Sequence, residues 1–186
     1  MTAQSEPEDG SWLDWFRERP VLGPRRHGWL IIVCVVAYAV DLATKQLAIH
    51  LLQPPTAYSI LGGWVKFELY FNSGAAFSMG QRFTVVIACV GLLALVIIAV
   101  FVAPRADGRL ENIVTGLFLA GIAGNVTDRL FRAPGPFHGH VVDFISLRYF
   151  AVFNVADMCI TAAATTLVVL LLVTQLRART ARRPAG

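Results

Sequence analysis

The sequence predicts an all-α membrane protein with a small β element. Of its 186 residues, 56% are hydrophobic and 15% are charged, whereas a soluble domain is about one half apolar and about one quarter charged. The mean hydropathy is +0.60. Four apolar stretches each approach the roughly 20 residues that a helix needs to cross a bilayer. We therefore expect four transmembrane helices.

The predicted spans cover residues 29–52, 84–103, 110–128 and 154–176. The first ends at Gln53-Pro54-Pro55, and the second has no charge between Arg82 and Arg105. Helices are expected because a helix satisfies its own backbone hydrogen bonds within lipid. Together the spans form one membrane domain, residues 28–176.

The flanking segments predict the orientation. Residues 1–27 are polar, acidic and then arginine-rich, which is typical of a disordered tail, and residues 177–186 form a basic tail. Both tails and the loop between the second and third spans carry arginines, so both termini are expected in the cytoplasm. The net charge of +4 is therefore interpreted as a topology signal, and nucleic acid is not expected as a partner.

The connection between the first two spans predicts a strand. Residues 64–71 alternate apolar with polar side chains for part of their length and are rich in β-formers. Asn72-Ser73-Gly74 then predicts a turn, and residues 72–77 are a candidate lid. The three cysteines lie in apolar stretches without metal-ligand spacing, so we interpret them as packing residues.

Asp143 and Asp157 are the leading functional candidates. Each lies among apolar residues at the mouth of a span. A carboxylate facing hydrocarbon is costly unless it is paired or used. Two such groups indicate a pair that shares a proton and activates water.

Further polar residues share helix faces near the same membrane side. Helical spacing of three and four places side chains on one face of a helix. Under the predicted topology these faces converge at the extracytoplasmic end. The residues are Asp41 with Lys45, Asn125 with Asp128 and Arg129, and Asn154 with Asp157.

Structural explanations for these residues stay open. Asp41 and Lys45 are more simply an intrahelical ion pair. Asp128 and Arg129 could mark a helix end, with the arginine at the headgroups, and Asn125 could make an interhelical hydrogen bond. Asp157 alone could be a first-turn acid favoured by the helix dipole.

A metal site is the weaker interpretation of the polar loop. His138-Gly139-His140 and Asp143 are possible zinc ligands. The loop is short and glycine-rich, and no second cluster supplies further ligands. We therefore predict no metal and no organic cofactor.

Five motifs in order resemble the lipoprotein signal peptidases, or signal peptidase II, which are bacterial intramembrane aspartic proteases. The similarity covers about residues 28–176. The motifs are Asp41-Leu-Ala-Thr-Lys45, Asn72-Ser-Gly-Ala-Ala-Phe77, Gly121-Ile-Ala-Gly-Asn125-Val-Thr-Asp128-Arg129, Val141-Val-Asp143-Phe and Phe153-Asn154-Val-Ala-Asp157.

The resemblance implies a catalytic dyad at Asp143 and Asp157. It implies that the residues matching Asp41, Asn72, Gly121, Asn125, Arg129 and Asn154 line or support the site, and Asp128 lies in the same motif. It also implies four transmembrane helices, an extracytoplasmic β-cradle and a short helix over the site. The implied substrates are diacylglyceryl-modified prolipoproteins, cut just before the lipidated cysteine. We also expect a monomeric protein in the bacterial inner membrane, with membrane lipid as a partner.

Two other classes of protein are weighed against a protease. A small proton-coupled transporter would place acids near the membrane midplane. A structural subunit would use its polar residues to hold helices together and would tolerate Asp→Asn at both positions. The clustering of polar residues at one end favours the protease.

Overall fold

The computed structural model describes Val21, residues 27–74 and residues 82–181. Within these residues, four helices are long and apolar enough to cross a membrane. They are α1 (Gly28–Leu51), α2 (Arg82–Ile97), α3 (Gly108–Phe131) and α4 (Val155–Ala181). A π-helical turn, Ile98–Val102, and a 3-10 turn, Ala103–Arg105, extend α2. The predicted fold class, a multi-pass membrane protein, is confirmed.

Some sequence predictions fall outside the described residues. The first is the predicted disorder of the N-terminal tail, of which Val21 and His27 are described. The others are residues 75–77 of the candidate lid and residues 182–186 of the basic tail. Residues 177–181, assigned by sequence to the basic tail, continue α4.

Local signals explain where α1 and α3 begin and end. Helix α1 ends at Leu51, shortly before Pro54-Pro55, and a proline cannot donate the backbone hydrogen bond that a helix interior needs. Helix α3 begins at Gly108, whose φ of +81° favours glycine. It continues to Phe131, three residues beyond the predicted span.

Many large apolar side chains lie on the outer surface of the helices and several polar ones lie inside, which is the reverse of a soluble protein. Large apolar residues such as Val35, Val90 and Leu171 are exposed on the helices, whereas Lys45 and Asn154 are fully buried. Lipid tails are as apolar as the exposed side chains, so the driving force for helix association comes from close packing and polar contacts.

Helix α3 is the central helix, and it packs against α1, α2 and α4. Two glycines allow the closest approaches. A Cβ at Gly116 would lie 2.8 Å from the Leu30 carbonyl oxygen of α1, and a Cβ at Gly121 would lie 2.5 Å from the Ala156 carbonyl oxygen of α4. Small residues at such contacts let helix backbones pack closely in membranes.

An antiparallel sheet lies at one end of the helices. In the described part of the chain it has the order β1 (Tyr58–Ile60), β2 (Val65–Asn72), β3 (Val141–Leu147) and β4 (Val152–Phe153). The strand predicted for residues 64–71 is confirmed as β2. A 3-10 turn, Leu61–Gly63, is the short helical element described in this connection.

The sheet is fixed to α1 by an apolar cluster. Phe144 packs with Ala48 and Leu52, and Phe67 and Ile145 lie against them. This contact holds β3, and therefore Asp143, beside the ends of the helices.

Candidate active site

Asp143 lies on β3 and is 2% exposed. Its Oδ2 accepts a hydrogen bond of 2.8 Å from Asn72 Nδ2, and its Oδ1 accepts one of 2.6 Å from Asn154 Nδ2. Asn72 is placed by the end of β2, and its own Oδ1 accepts from the Gly74 backbone at 2.7 Å. The turn predicted at residues 72–74 therefore orients one of the two amides that hold Asp143.

Asp157 lies in the first turn of α4. Its Oδ1 accepts a hydrogen bond of 2.8 Å from Asn125 Nδ2. Its Oδ2 accepts the Asn154 backbone N–H at 3.2 Å, and Asn154 Oδ1 accepts the Asp157 backbone N–H at 3.0 Å. This reciprocal pair is a capping box, in which two helix-terminal donors are satisfied. Asp157 therefore helps to cap the start of α4, in agreement with its interpretation as a first-turn acid. A catalytic role is compatible with this structural one.

Asn154 connects the two aspartates. It is fully buried, and its side chain donates to Asp143 while its backbone and side chain bond to Asp157. Its Nδ2 also lies 3.2 Å from Asn125 Oδ1. One residue, through its side-chain amide and its backbone N–H, thus sets the relative position of two carboxylates that come from a strand and a helix.

Lys45 extends this network into α1. Its Nζ donates to Asn125 Oδ1 at 3.1 Å, so the Asn125 amide is oriented with its Nδ2 toward Asp157. The same ammonium lies 2.8 Å from Asp41 Oδ2 and 3.0 Å from Asp128 Oδ2. The predicted Asp41–Lys45 ion pair is present, and it belongs to the network that reaches Asp157.

Asp41 and Asp128 also hold backbone groups of neighbouring elements. Asp41 Oδ1 accepts the Ala156 N–H of α4 at 2.9 Å, and Asp128 Oδ2 accepts the Val142 N–H of β3 at 3.2 Å. Arg132, one turn after Asp128, forms an ion pair with its Oδ1. These two carboxylates therefore fix the elements that carry Asp157 and Asp143.

Arg129 is buried, with 7% of its surface exposed. The interpretation that it lies at the headgroups is therefore wrong, because α3 continues past it and turns its side chain inward. It interacts electrostatically with Asp143, Asp128 and Asp157. Its guanidinium lies against Gly74, and its Nη1 has no hydrogen-bond partner among the described residues. A donor is thus available beside the aspartate pair.

The charges of this cluster nearly balance. Within the described residues it contains four carboxyl groups and three basic side chains. One proton held by the aspartate pair would leave the cluster without net charge, which reduces the cost of burying it. The members are Asp41, Asp128, Asp143 and Asp157 with Lys45, Arg129 and Arg132.

Asp143 and Asp157 differ in their surroundings. Burial, together with the nearby charge of Asp157, raises the pKa of Asp143 to about 6, although the hydrogen bonds from Asn72 and Asn154 oppose the rise. Asp157, in contrast, is partly exposed and lines an apolar pocket of about 460 Å³ with Phe153 and Met158. A ligand or water in this pocket would meet Asp157.

The structure brings the predicted site residues into one region. Gly121 contributes by the close contact of α3 with α4, and the neighbouring Gly124 leaves room for the Asp41 carboxylate. The sequence interpretation underrated Lys45 and missed Arg132 as a contributor. Their spacing of four from Asp41 and Asp128 was the available signal.

The loop between α3 and β3 does not bring its possible metal ligands together in the described structure. His138 is exposed, and its Nδ1 lies 3.0 Å from the Pro136 carbonyl oxygen. Among the described residues, no group of three histidine, cysteine or acidic side chains is close enough to hold a metal ion.

Comparison with known proteins identifies close relatives by sequence. A family model described as signal peptidase (SPase) II matches residues 32–173. The chain is 40% identical over 166 residues to the lipoprotein signal peptidase of Streptomyces coelicolor, covering 89% of this chain and 81% of that protein. It is 42% identical over 148 residues to that of Mycobacterium tuberculosis, covering 79% and 72%.

Solved structures support the fold. A bacterial membrane enzyme determined by the in meso method at 1.9 Å resolution superposes with a TM-score of 0.68 and 23% identity, covering 78% of this chain and 93% of that one. A second, at 2.3 Å resolution, gives a TM-score of 0.66 and 21% identity over 86% and 94%.

Proposed function

The chain belongs to the signal peptidase II family, and from this premise we propose that it is an aspartic endopeptidase of the bacterial inner membrane. Its proposed substrates are prolipoproteins that carry a diacylglyceryl group on the lipobox cysteine. Cleavage falls immediately before that cysteine and releases the signal peptide. Asp143 and Asp157 are the proposed catalytic residues.

The observation that carries this proposal is the contact of one buried residue, Asn154, with both aspartates. Two carboxylates held by the same residue cannot both ionise without strong repulsion, so one keeps a proton. An acid and a base side by side are what peptide hydrolysis by activated water requires.

The two protonation states fit different roles. Asp143 is buried and has a pKa raised to about 6, so we assign it the acid role in the form of the pair that carries one proton. Asp157 faces the apolar pocket, and its carboxylate takes a proton from water as the water oxygen attacks the scissile carbonyl. Asp143 gives its proton to the carbonyl oxygen, which forms a tetrahedral diol.

Collapse of the diol restores the pair. Asp157 passes its proton to the departing amine nitrogen, while Asp143 recovers one from a diol hydroxyl as the C–N bond breaks. Asn125 and Asn154 hold the carboxylates in place throughout. Arg129, with an unpartnered Nη1 among the described residues, is placed to donate to a substrate carbonyl.

The apolar pocket beside Asp157 suits a substrate that is anchored in the membrane by acyl chains. It is lined by Phe153 at the end of β4 and by Met158 and Ala162 of α4, and Met158 is exposed. A substrate held by acyl chains arrives at the depth of the aspartates with part of its orientational entropy already lost.

The test is cleavage of a diacylglyceryl-modified lipobox peptide by the purified protein, followed by gel shift. Asp143→Asn and Asp157→Asn should each lower the rate by about 100-fold or more, because each removes an acid or base. Asp107→Asn, at the opposite end of α3, is the matched control and should keep full activity. Substantial cleavage by either of the first two variants, folded in detergent, would rule out the dyad.

A further inference from the structure

A second pocket lies on the sheet, apart from the aspartates. It has a volume of about 470 Å³ and is lined in part by Lys66, Ser146 and Arg148, with Gly62 and Gly63 at its rim. We call the pocket and the rings of Trp64 and Tyr149 beside it the basic corner. None of these residues belongs to the proposed catalytic network.

Two cations line this pocket, one from the sheet and one from the turn that follows it. Lys66 of β2 is paired with Ser146 of β3, and paired residues of antiparallel strands project from the same face. Arg148 lies in the turn directly after the end of β3 at Leu147, and its side chain lines the same pocket. Two positive charges therefore face a common space.

The Arg148 side chain is held in place before any ligand binds. Its backbone N–H donates to the Trp64 carbonyl oxygen at 2.9 Å. Its guanidinium carbon lies 5.6 Å from the centre of the Trp64 ring and 5.1 Å from that of Tyr149. These are cation–π distances, and a guanidinium stacked in this way still offers N–H groups to a phosphate.

The rim of the basic corner suits a membrane surface. Tyr149 is 86% exposed, and Leu61 and Phe150 are also well exposed. Aromatic side chains of this kind are enriched where a membrane protein meets the headgroup layer. Basic pockets at the same level are sites for anionic lipid headgroups.

The basic corner adjoins the apolar pocket that lies along α4. Leu147 and Phe150 line both spaces, and the apolar one extends to Met158 and Thr161. An amphiphile with an anionic head and a hydrocarbon chain matches this pair of spaces. We propose that the basic corner binds the phosphodiester of an anionic glycerophospholipid, with one acyl chain lying beside Phe150.

The test is native mass spectrometry of the purified protein in detergent, titrated with phosphatidylglycerol or phosphatidylcholine. The wild type should retain the anionic lipid in preference to the zwitterionic one. Each cation contributes about fivefold to that preference, so Lys66→Gln/Arg148→Gln should lower it by about thirtyfold. Arg177→Gln, an exposed cation at the other end of α4, should leave it unchanged.

Two further measurements test the role of the stacked guanidinium and distinguish a whole phospholipid from a free headgroup. Arg148→Lys keeps the charge but loses the stacked planar group, and should give an intermediate preference. Glycerol 3-phosphate at about the concentration of the lipid should not displace it, because the free headgroup lacks the chain that the apolar pocket holds.

Two results would overturn the proposal. The first is an unchanged lipid preference in the double variant; if that variant also loses affinity for an acidic peptide, the basic corner is a peptide site. The second is equal competition by glycerol 3-phosphate. Lipid binding is measured without peptide cleavage, so its outcome is independent of the test of Asp143 and Asp157.

Discussion

Asn154 shows how one residue can set the geometry of two acids. It precedes the first residue of α4, where a helix leaves N–H groups that need a cap. Its side chain is used both for that cap and for the contact with Asp143. The position of the aspartate pair is therefore tied to the formation of the helix terminus itself.

The pKa of Asp143 predicts the pH dependence of cleavage. Burial raises this pKa to about 6, so the acid form that donates to the substrate is lost as the pH rises above that value. We expect kcat/KM to fall toward tenfold per pH unit on the alkaline side. Rates of peptide cleavage measured between about pH 5 and pH 8 would check this, and a flat profile would contradict it.

The same shift has a defined sign for stability. The folded-state pKa of Asp143 lies above the value of an unfolded aspartate, so the protonated carboxyl favours the folded state. This contribution is complete below pH about 4 and is lost as the pH rises through about 6.

Removing the charge of Lys45 should destabilise the protein. Lys45→Met leaves the buried Asp41 and Asp128 carboxylates without their shared cation, and breaking such a pair costs about 3–5 kcal/mol. We expect a clearly lower thermal unfolding midpoint in detergent. Lys66→Met, on the exposed sheet surface, is the matched control, with a change within about 0.5 kcal/mol. Equal midpoints for the two variants would refute the structural role of Lys45.

Among the elements, α3 carries the largest share of the site. It supplies Asn125, Asp128 and Arg129, and the last two are buried in the bundle. Its glycines bring α1 and α4 close enough for Lys45 to reach Asn125 and for Asn125 to reach Asp157. The packing of the helices therefore sets the geometry of the site.

Gly121→Ala tests this coupling. The new Cβ would lie 2.5 Å from the Ala156 carbonyl oxygen and 2.7 Å from Ile160 Cγ1, so α3 and α4 must separate. We expect a loss of about 1–3 kcal/mol in stability, as for other overpacked contacts, together with slower cleavage. Gly28→Ala meets nothing within 4 Å and should change neither the unfolding midpoint nor the rate. Normal values for Gly121→Ala would show that the contact is not needed.

For the whole molecule, the helices place the sheet and the aspartates at one end. With four spans in the described residues, the start of α1 and the end of α4 lie on the same side of the membrane. The distribution of lysine and arginine predicts that this side is the cytoplasm. The aspartates and the basic corner would then face the exterior, where we propose that lipid-anchored substrates are cut.

Cysteine labelling in intact cells would check that orientation. In a background without Cys34, Cys89 and Cys159, Ser59→Cys in β1 should react with a membrane-impermeant maleimide, because it lies at the sheet end. Arg177→Cys, at the other end of α4, should react after the membrane is permeabilised. The opposite pattern would reverse the predicted topology.

The sequence by itself determined the spans and the leading acids. Length and hydropathy were enough for the helices, since a bilayer demands about 20 apolar residues and internal backbone hydrogen bonds. The cost of a carboxylate in lipid singled out Asp143 and Asp157. Helical spacing also showed which polar residues share a face.

The tertiary structure decided which faces meet. Spacing along α1 pairs Lys45 with Asp41, but the contact of Lys45 with Asn125 depends on how α1 packs on α3. The burial of Arg129 likewise follows from the surrounding elements and not from its place near a helix end. Local periodicity fixes directions on a single helix, whereas the distances between helices come from packing, and no pattern in one chain segment encodes them.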